Sequence, residues 1–262
     1  MMRSLDIAGT GMQAQQTNVE VIANNIANMT TTGFKRRRPE FQDLIYQDIR
    51  RAGTMSSDSG TLVPAGAQVG LGVRTAGIYR INVQGTLEQT NNSLDLAIEG
   101  PGYFQVTLPS GEYAYTRDGT FSLSDTGMIV TADGYPVSPG ITVPNNAQSI
   151  TVDQTGQVQV TISGQTQSTV VGQLQMATFQ NENGLAAMGQ NLFTETQSSG
   201  NAITGTGQSV GFGDIRQGYV EESNVNVVTE ITDLITAQRA YEMNSKVITA
   251  SDEMLQTLTG LK

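Results

Sequence analysis

The residues that most resemble a catalytic or metal-binding set are acidic residues beside glycines. Asp118-Gly119, Asp125-Thr-Gly127 and Asp133-Gly134 place carboxylates in short loops, as calcium sites do. None has the ligand spacing of an EF-hand, and turn chemistry accounts for all three. Gly70-Leu-Gly72 and Gly205-Thr-Gly207 are not followed by the Lys-Ser/Thr of a phosphate-binding loop. We therefore expect no metal site and no cofactor.

Catalysis of other kinds is restricted by what the chain lacks. It contains no Cys and no His, which excludes thiol nucleophiles, disulfides and the usual general base of serine and cysteine hydrolases. The adjacent carboxylates Glu221 and Glu222 precede a predicted helix, where they would complement the helix dipole. A glycosidase-type carboxylate pair depends on a geometry that sequence does not give. We expect that the protein is not an enzyme.

The composition is that of a folded, acidic chain with thin cores. Of 262 residues, 37% are apolar and only 6% are aromatic, and the net charge is -10. This charge argues against a nucleic-acid surface. Residues 1–51 carry seven basic and five acidic side chains, whereas the remainder carries seven and nineteen. The basic excess at the start therefore faces a strongly acidic remainder.

No stretch approaches the roughly 18 apolar residues of a membrane span, so we expect no direct membrane insertion. The first residues, Met1 to Asp6, also lack the apolar region of a cleavable signal peptide. We expect a cytosolic protein, or one exported by a route that reads no such signal.

The last stretch of the chain, residues 224–261, predicts one long helix. It contains no Pro, and its first Gly is Gly260. A coiled-coil-like seam is indicated by apolar and small residues at alternating spacings of four and three. The positions of the main stripe are Val227, Ile231, Leu234, Gln238, Tyr241, Ser245, Ile248 and Leu255, and a neighbouring stripe runs through Ala237, Ala240, Asn244, Val247, Ser251, Met254 and Leu258.

The same spacing appears near the start of the chain, at Leu5, Ala8, Met12, Gln15, Val19, Ile22, Ile26 and Met29. The simplest interpretation is that the two terminal helices pair with each other, with everything between them inserted at their far end. Two unrelated amphipathic helices on a globular core are the alternative.

Between the helices the pattern changes to short strands of period two, such as residues 94–99 and 103–108. Asp118-Gly119 lies between two such runs and predicts a hairpin. The fold class is therefore α+β, with an inserted all-β domain of short antiparallel strands. The predicted boundaries are 1–45 and 220–262 for the helical domain, 46–68 for an extended connector rich in Gly, Ser, Thr and Ala, and 69–219 for a β-rich outer domain.

The first helix closes on an Asn-rich turn, Ala23-Asn-Asn-Ile-Ala-Asn28, whose amides could form side-chain ladders between subunits. Gly33 suits a left-handed position at the end of that helix. The basic run Lys35-Arg-Arg-Arg38 follows. We expect it to pair with the acidic remainder of a neighbouring chain, since one basic run in an acidic protein is weak evidence for nucleic acid.

These motifs resemble the bacterial flagellar rod and hook family. Its N-terminal signature is similar to Ala23–Asn28 together with Thr31-Thr-Gly-Phe-Lys35, and its C-terminal signature to Glu222-Ser-Asn-Val-Asn226 and Gln238-Arg-Ala-Tyr-Glu242. Further similarity runs through the β-rich region, from Glu99-Gly-Pro-Gly-Tyr-Phe104 onward. Overall length, the 46–66 segment and the Gln-Arg-Ala-Tyr-Glu helix favour the distal rod members.

The resemblance implies a structural subunit that self-assembles into the helical tubular distal rod of the flagellar basal body, transmitting torque from motor to hook and forming the wall of the export channel. It implies a rod that spans the periplasm to the outer membrane and is exported by the flagellar type III apparatus. The implied partners are further copies of the chain, proximal rod proteins, hook protein, P-ring and L-ring proteins, the rod cap and the export apparatus. Residues 46–66 match a segment associated with straight, rigid tubes.

Two other interpretations stay open at this stage: a proximal rod or hook subunit of the same family, and a secreted adhesin with a β-rich head. For the assembly reading, the expected subunit-interface residues are Leu5, Met12, Val19, Ile22, Asn24, Asn25, Ile26, Asn28, Gly33, Phe34, Arg36, Arg37, Ile231, Leu234, Gln238, Arg239, Tyr241, Asn244, Ile248 and Leu255.

Overall fold

Helices at the two ends of the chain flank a long series of short strands, which confirms the α+β class. The computed structural model describes residues 2–51, 53, 65–163 and 167–260. In chain order the elements are α1 (Met2–Ala27), β1 (Arg37–Asp43), β2 (Tyr46–Arg50), β3 (Ala67–Gly70), β4 (Val73–Arg80), β5 (Leu87–Gln89), β6 (Leu96–Glu99), β7 (Tyr103–Thr107), β8 (Tyr113–Thr116), β9 (Ser122–Leu123), β10 (Ile129–Val130), β11 (Ala147–Val152), β12 (Gln157–Ile162), β13 (Thr169–Gln173), β14 (Met176–Thr178), a 3₁₀ turn (Glu182–Gly184), β15 (Ala186–Gly189), β16 (Leu192–Thr194), β17 (Ile203–Gly205), β18 (Asp214–Gln217), β19 (Tyr219–Glu221) and α2 (Val227–Gly260).

The chain divides into two compact units. The helical unit comprises Met1–Ala27, Arg37–Tyr79 and Asn226–Lys262. The β unit comprises Asn28–Arg36 and Arg80–Val225. Each unit therefore contains segments from distant parts of the sequence, and the chain crosses between them more than once.

The β unit is built around a six-stranded sheet in the order β15-β16-β8-β7-β14-β17. Strand β7 is central and its side chains alternate between two apolar clusters, as the pleat of a strand requires. Phe104 and Val106 are fully buried in the larger cluster, whereas Tyr103 packs in the smaller one with Tyr115 and Phe179. The sheet is thus covered on both faces, although the chain has few aromatic residues.

The predicted hairpin at Asp118-Gly119 is wrong. Strand β8 pairs with β7 and β16, and β9 pairs with β10 instead. The glycine serves close approach rather than hairpin formation, because a Cβ at Gly119 would lie 1.6 Å from the carbonyl oxygen of Leu96. The Asp118 side chain closes the turn locally by accepting a hydrogen bond from the Thr120 amide at 3.0 Å.

In the helical unit, the ends of the predicted extended connector are two strands that form an antiparallel ribbon. Strand β2 pairs with β3, with Tyr46 opposite Gly70 and Arg50 opposite Ala67. Strand β1 pairs with β4. Residues 52 and 54–64 of the connector lie outside the described residues. At the base of the ribbon, Val73 donates a backbone hydrogen bond to the Thr10 hydroxyl of α1 at 3.3 Å.

Candidate assembly surfaces and a buried charge cluster

Helices α1 and α2 lie against each other and run in opposite directions. Ser4 hydrogen-bonds Ser251 at 3.3 Å, and a Cβ on Gly11 would lie 2.9 Å from the amide nitrogen of Asn244. Nearer the end of α1, Asn25 contacts Glu230 at 3.1 Å. These contacts advance along α1 by multiples of seven residues and retreat along α2 by the same amounts. One constant register therefore relates the two helices.

The surface between the helices is made of small and polar side chains. Ala8, Ala14 and Ala237 are buried, and Gly11 gives α2 room to approach. Each buried methylene contributes only about 0.8 kcal/mol, so alanines supply little hydrophobic stabilisation. Close approach and hydrogen bonding hold this pair.

Asn25 fastens the end of α1 to two other elements. Its side-chain amide donates to the Arg37 carbonyl at 2.9 Å and to the Glu230 carboxylate at 3.1 Å, while its carbonyl accepts from the Arg37 amide at 2.8 Å. Asn25 is 1% exposed, so these contacts are shielded from water. Asn226 begins α2 as an N-cap, accepting from Val228 and Thr229. Asn25 and Asn226, one from each signature, thus have definite structural roles within the chain.

The opposite side of α2 is also apolar but is exposed. Glu230, Ala237 and Ser251 are buried on the α1 side of the helix. On a 3.6-residue turn, the other side carries a second apolar row that faces away from α1. Its exposed members are Val228, Ile231, Ile235 and Met243. The outer face of α2, defined by these four residues, has no partner among the described residues.

The main stripe predicted from the sequence is therefore only partly the one that is buried. Leu234, Ile248 and Leu255 are half-buried as expected, but Ile231 and Gln238 are exposed. Their places in the helix contact are taken by Glu230 and Ala237. A glycine- and alanine-rich partner admits the small side chains of α2 and leaves Ile231 outside.

The predicted interface residues occupy all three levels of exposure, and their role between subunits stays a prediction. Three are buried within the chain: Ile22, Asn25 and Gly33. Those that are half-buried are Leu5, Met12, Val19, Ile26, Asn28, Phe34, Arg36, Leu234, Asn244, Ile248 and Leu255. Those that are exposed are Asn24, Arg37, Ile231, Gln238, Arg239 and Tyr241.

Sequence analysis missed a buried charge cluster in the β unit, formed by Lys35, Arg117 and Glu221. Glu221 is 1% exposed and forms ion pairs with the Lys35 ammonium and with Arg117 Nε, the latter at 2.6 Å. The Arg117 guanidinium also donates to the carbonyls of Gly100 and Gly102. Burial alone would raise the pKa of the Glu221 carboxyl, but Arg117 and Lys35 outweigh it and hold that pKa below its ordinary value.

The cluster changes the interpretation of two sequence features. Lys35 is buried and separate from the exposed Arg37 and Arg38, so the basic run does not act as one solvated patch. Burial is the largest influence on Lys35 and lowers its pKa, although Glu221 opposes this. Glu221 lies in β19 rather than in the first turn of α2, so its predicted role as a complement to the helix dipole is wrong. Only long-range contacts reveal the pairing of residues 35, 117 and 221.

Gly33 has a left-handed backbone with φ of 68°, as predicted, but it does not end the helix. Helix α1 stops at Ala27, six residues earlier. Gly33 donates its amide to the Glu221 carbonyl at 2.7 Å, and a Cβ there would lie 2.9 Å from the backbone of Arg117. The glycine is required by close packing beside the charge cluster.

In the described part of the chain, no group of three or more acidic side chains is arranged to hold a metal ion. A cavity of about 250 Å³ lies beside the charge cluster, lined by groups that include Lys35, Tyr103, Arg117 and Glu182. The Tyr103 hydroxyl donates to Glu182 at 3.3 Å, and the two cations pair with Glu221. Among the described helices, none is apolar over a length that would cross a bilayer.

Three family models match: the flagella basal body rod protein model at residues 5–35, the flagellar hook protein FlgE/F/G D1 domain at 97–160, and the flagellar basal body rod FlgEFG protein C-terminal model at 216–261. The flagellar basal-body rod protein FlgG of Caulobacter vibrioides is 58% identical over 261 residues, covering 100% of both chains. The chain belongs to the FlgG family of flagellar basal-body rod proteins.

More distant FlgG relatives also align along the whole chain. The FlgG protein of Borreliella burgdorferi is 48% identical over 100% of this chain and 99% of its own. That of Bacillus subtilis is 40% identical over 100% of both chains. The protein is a structural subunit of the distal rod in the flagellar basal body, and it is not an enzyme. It assembles with other rod and hook proteins of the flagellum.

Proposed function

We propose that the chain polymerises into a helical tube in which α1 and α2 pack as coiled-coil-like pairs and form the wall of an export channel. The observation that carries this proposal is the outer face of α2. A helix that already packs on α1 yet exposes a second apolar row needs a further neighbour. Burying a side chain such as Ile235 or Met243 contributes about 1.5–3 kcal/mol, so the four positions of this face, repeated in every subunit contact, would stabilise a polymer.

Torque from motor to hook would pass through the many identical contacts of such a polymer rather than through one site. Heterologous contacts that do not close into a ring generate open helical filaments. In this proposal the helical layer comprises residues 1–45 and 220–262, the connector 46–68, and the remaining β-rich domain 69–219. The further proposed neighbours are proximal rod proteins, hook protein, the P-ring and L-ring proteins, the rod cap and the export apparatus, along a rod that runs from periplasm to outer membrane.

The test is the concentration dependence of assembly in the purified full chain. We expect straight filaments in electron micrographs and sedimentation of polymer above a critical concentration. Ile235→Lys places a charge on the outer face of α2 and should abolish filaments without altering the circular dichroism spectrum. Val210→Lys is the matched control, because Val210 is a fully exposed apolar residue in a turn of the β unit. A monomer or small closed oligomer at all concentrations, or full assembly of Ile235→Lys, would contradict the proposal.

We also propose that the connector holds the tube straight. Strands β2 and β3 bring Arg50 opposite Ala67, so residues 52–64 can be replaced by a short turn without disturbing the ribbon. Filaments of this variant should curve or lose rigidity, measured as persistence length in micrographs. Filaments as straight as those of the full chain would remove the connector from this role.

A further inference from the structure

Two segments of the β unit are joined side by side without forming a regular strand pair. Residues 33–36 follow α1 in the sequence, and residues 221–224 precede α2. Gly33 donates to the Glu221 carbonyl at 2.7 Å, and the Arg36 amide donates to the Asn224 side chain at 2.7 Å. The Asn224 amide in turn donates to the carbonyls of residues 81 and 83, both at 2.8 Å. We call residues 33–36 and 221–224 the joined segments.

The charge cluster links the two joined segments to each other. One carboxylate, that of Glu221, receives three donors: the Lys35 ammonium, Arg117 Nε at 2.6 Å and the Gly85 amide at 2.9 Å. The Lys35 ammonium also donates to the Val83 carbonyl at 3.0 Å. Lys35 and Glu221 therefore tie the joined segments to each other, and Gly85 ties both to residues 81–86.

The cluster contains two cations and one anion, so it depends on the Glu221 carboxylate. Lys35 and Arg117 are 6% and 7% exposed, and Glu221 is the carboxylate they share. Removing one partner of a buried ion pair is costly because the remaining charge stays desolvated. Removal of Glu221 would leave two neighbouring cations that also repel each other. Removal of Lys35 would leave a balanced pair.

We propose that the ionised Glu221 carboxylate is the positioning residue of the two signature segments. It holds residues 33–36 against residues 221–224, and without its charge these segments detach while the six-stranded sheet stays folded. The sheet is independent of the cluster because its core is apolar, with Phe104 and Val106 fully buried. Since Glu221 lies late in the sequence, Lys35 and Arg117 are neutralised only when nearly the whole chain is present.

The proposal gives a defined pH dependence. Lys35 of the first joined segment and Arg117, which follows β8, are the charged groups that face Glu221. The charge of Glu182 also acts on Lys35. The pKa of Glu221 is lowered in the folded chain, chiefly because the two cations outweigh burial. Its stabilisation is therefore complete above the ordinary pKa of a glutamic acid and is lost as the pH falls through the lowered value. The pKa of Lys35 is also lowered, chiefly by burial, while the Glu221 charge opposes this shift.

The direct test is amide hydrogen exchange on the full chain carrying Glu221→Gln. We expect loss of protection at Gly33, Gly85 and Asn224, with protection in β7 and β8 unchanged. Glu99→Gln is the matched control, because Glu99 pairs with Arg216 by the same chemistry in the same unit but is about half exposed, with the side chain at 46%. Unchanged protection at Gly33 and Gly85 would overturn the proposal, and so would equal loss in the Glu99 variant.

A second variant distinguishes local detachment of the joined segments from global unfolding. Lys35→Met keeps the balanced Arg117–Glu221 pair, so it should loosen Gly33 while Gly85 stays protected. In the unsubstituted chain, protection of the joined segments, corrected for intrinsic exchange rates, should fall with acid, whereas in Glu221→Gln it should be low at every pH. Global loss of protection in both Glu221→Gln and Lys35→Met, or an acid response that persists in Glu221→Gln, would show that the cluster is an ordinary part of the core.

Assembly provides an additional readout that rests on the proposed function. Glu221→Gln should raise the critical concentration for filaments several-fold, whereas Glu99→Gln should not. If the unsubstituted chain forms no filaments, the proposed function fails while the exchange result still decides the role of Glu221. If filaments form and the Glu221→Gln chain assembles normally despite detached segments, the positioning role in assembly is refuted.

Discussion

Single residues carry most of the information that the sequence alone could not provide. In the sequence, Lys35 is the first member of a basic run, and Glu221 is the first of two acidic residues before a predicted helix. Each is nearly fully buried, and each finds its partner through contacts between residues more than 100 positions apart. Periodicity detects which face of an element is apolar, but it does not detect which buried cation meets which carboxylate.

At the same scale, Asn25 was expected to act between subunits, and the structure shows its amide engaged within the chain. Replacing it by Ala would remove its hydrogen bonds to the Arg37 backbone and to the Glu230 carboxylate. An unsatisfied buried polar group costs about 1–3 kcal/mol. We therefore expect Asn25→Ala to lower the free energy of unfolding by roughly that amount in urea denaturation.

Gln13→Ala serves as the control for Asn25→Ala, because Gln13 is an exposed side-chain amide on the same helix. Its effect should stay within about 0.5 kcal/mol, as for most surface substitutions. Equal effects of the two variants would mean that the Asn25 network contributes nothing to stability.

At the scale of elements, the sequence predicted both terminal helices, their approximate ends and some strands of the β unit, such as β6 and β7. It also showed two stripes on α2 but gave no means of choosing between them. The choice depends on the partner: Ala8, Gly11 and Ala14 leave space only for small residues, so Ala237 enters and Ile231 stays outside. The predicted hairpin at Asp118-Gly119 is wrong for a related reason. Gly119 is required by the close approach of the Leu96 carbonyl rather than by a local turn preference.

Two glycines of α1 allow the register of the helix pair to be tested. A Cβ at Gly9 would meet nothing within 4 Å, whereas one at Gly11 would lie 2.9 Å from the Asn244 amide. Gly→Ala in a helix gains up to about 1 kcal/mol from helix propensity. We expect Gly9→Ala to raise the melting temperature and Gly11→Ala to raise it less, because Asn244 must move aside.

Gly11→Ala should raise the melting temperature more when Asn244→Ala is also present, since the side chain that it would displace is then absent. The same second substitution should leave the gain from Gly9→Ala unaltered. Indistinguishable gains from Gly9→Ala and Gly11→Ala would place α2 in a different register.

At the scale of the whole molecule, charge is unevenly distributed. Residues 28–36 and 80–225 contain thirteen acidic and five basic side chains, whereas Arg37 and Arg38 are exposed on β1. Exposed pairs contribute at most about 1 kcal/mol each, but they recur at every contact of a polymer. We expect the double substitution Arg37→Glu and Arg38→Glu to weaken self-association, seen as a higher critical concentration in sedimentation.

The effect should diminish in high salt, because screening removes surface attraction in the unsubstituted chain as well. Arg37→Gln with Arg38→Gln should give an intermediate value, since charge is removed without being reversed. An unchanged critical concentration in the charge-reversed chain would exclude pairing between this strand and acidic neighbours.

Family membership could be recognised from the two terminal signatures, since short motifs at both ends of the chain are read directly from sequence. The assembly surface could be predicted only in part. Sequence analysis assigned α2 to subunit contacts, whereas the division between its α1 side and its exposed outer face required the structure. Residues such as Val228 and Met243 emerged as candidates only through their exposure.

The central claim is that the outer face of α2 becomes buried when the chain polymerises. The chain has no Cys, so Met243→Cys provides a single thiol on that face and Val210→Cys a single exposed thiol in the β unit. The decisive measurement is the rate of maleimide labelling of each variant before and after filament formation. The account predicts that Met243→Cys reacts as rapidly as Val210→Cys in the monomer. In filaments Met243→Cys should react at least about ten times more slowly, because this apolar face is then buried. Equal labelling of Met243→Cys in monomer and filament would contradict it.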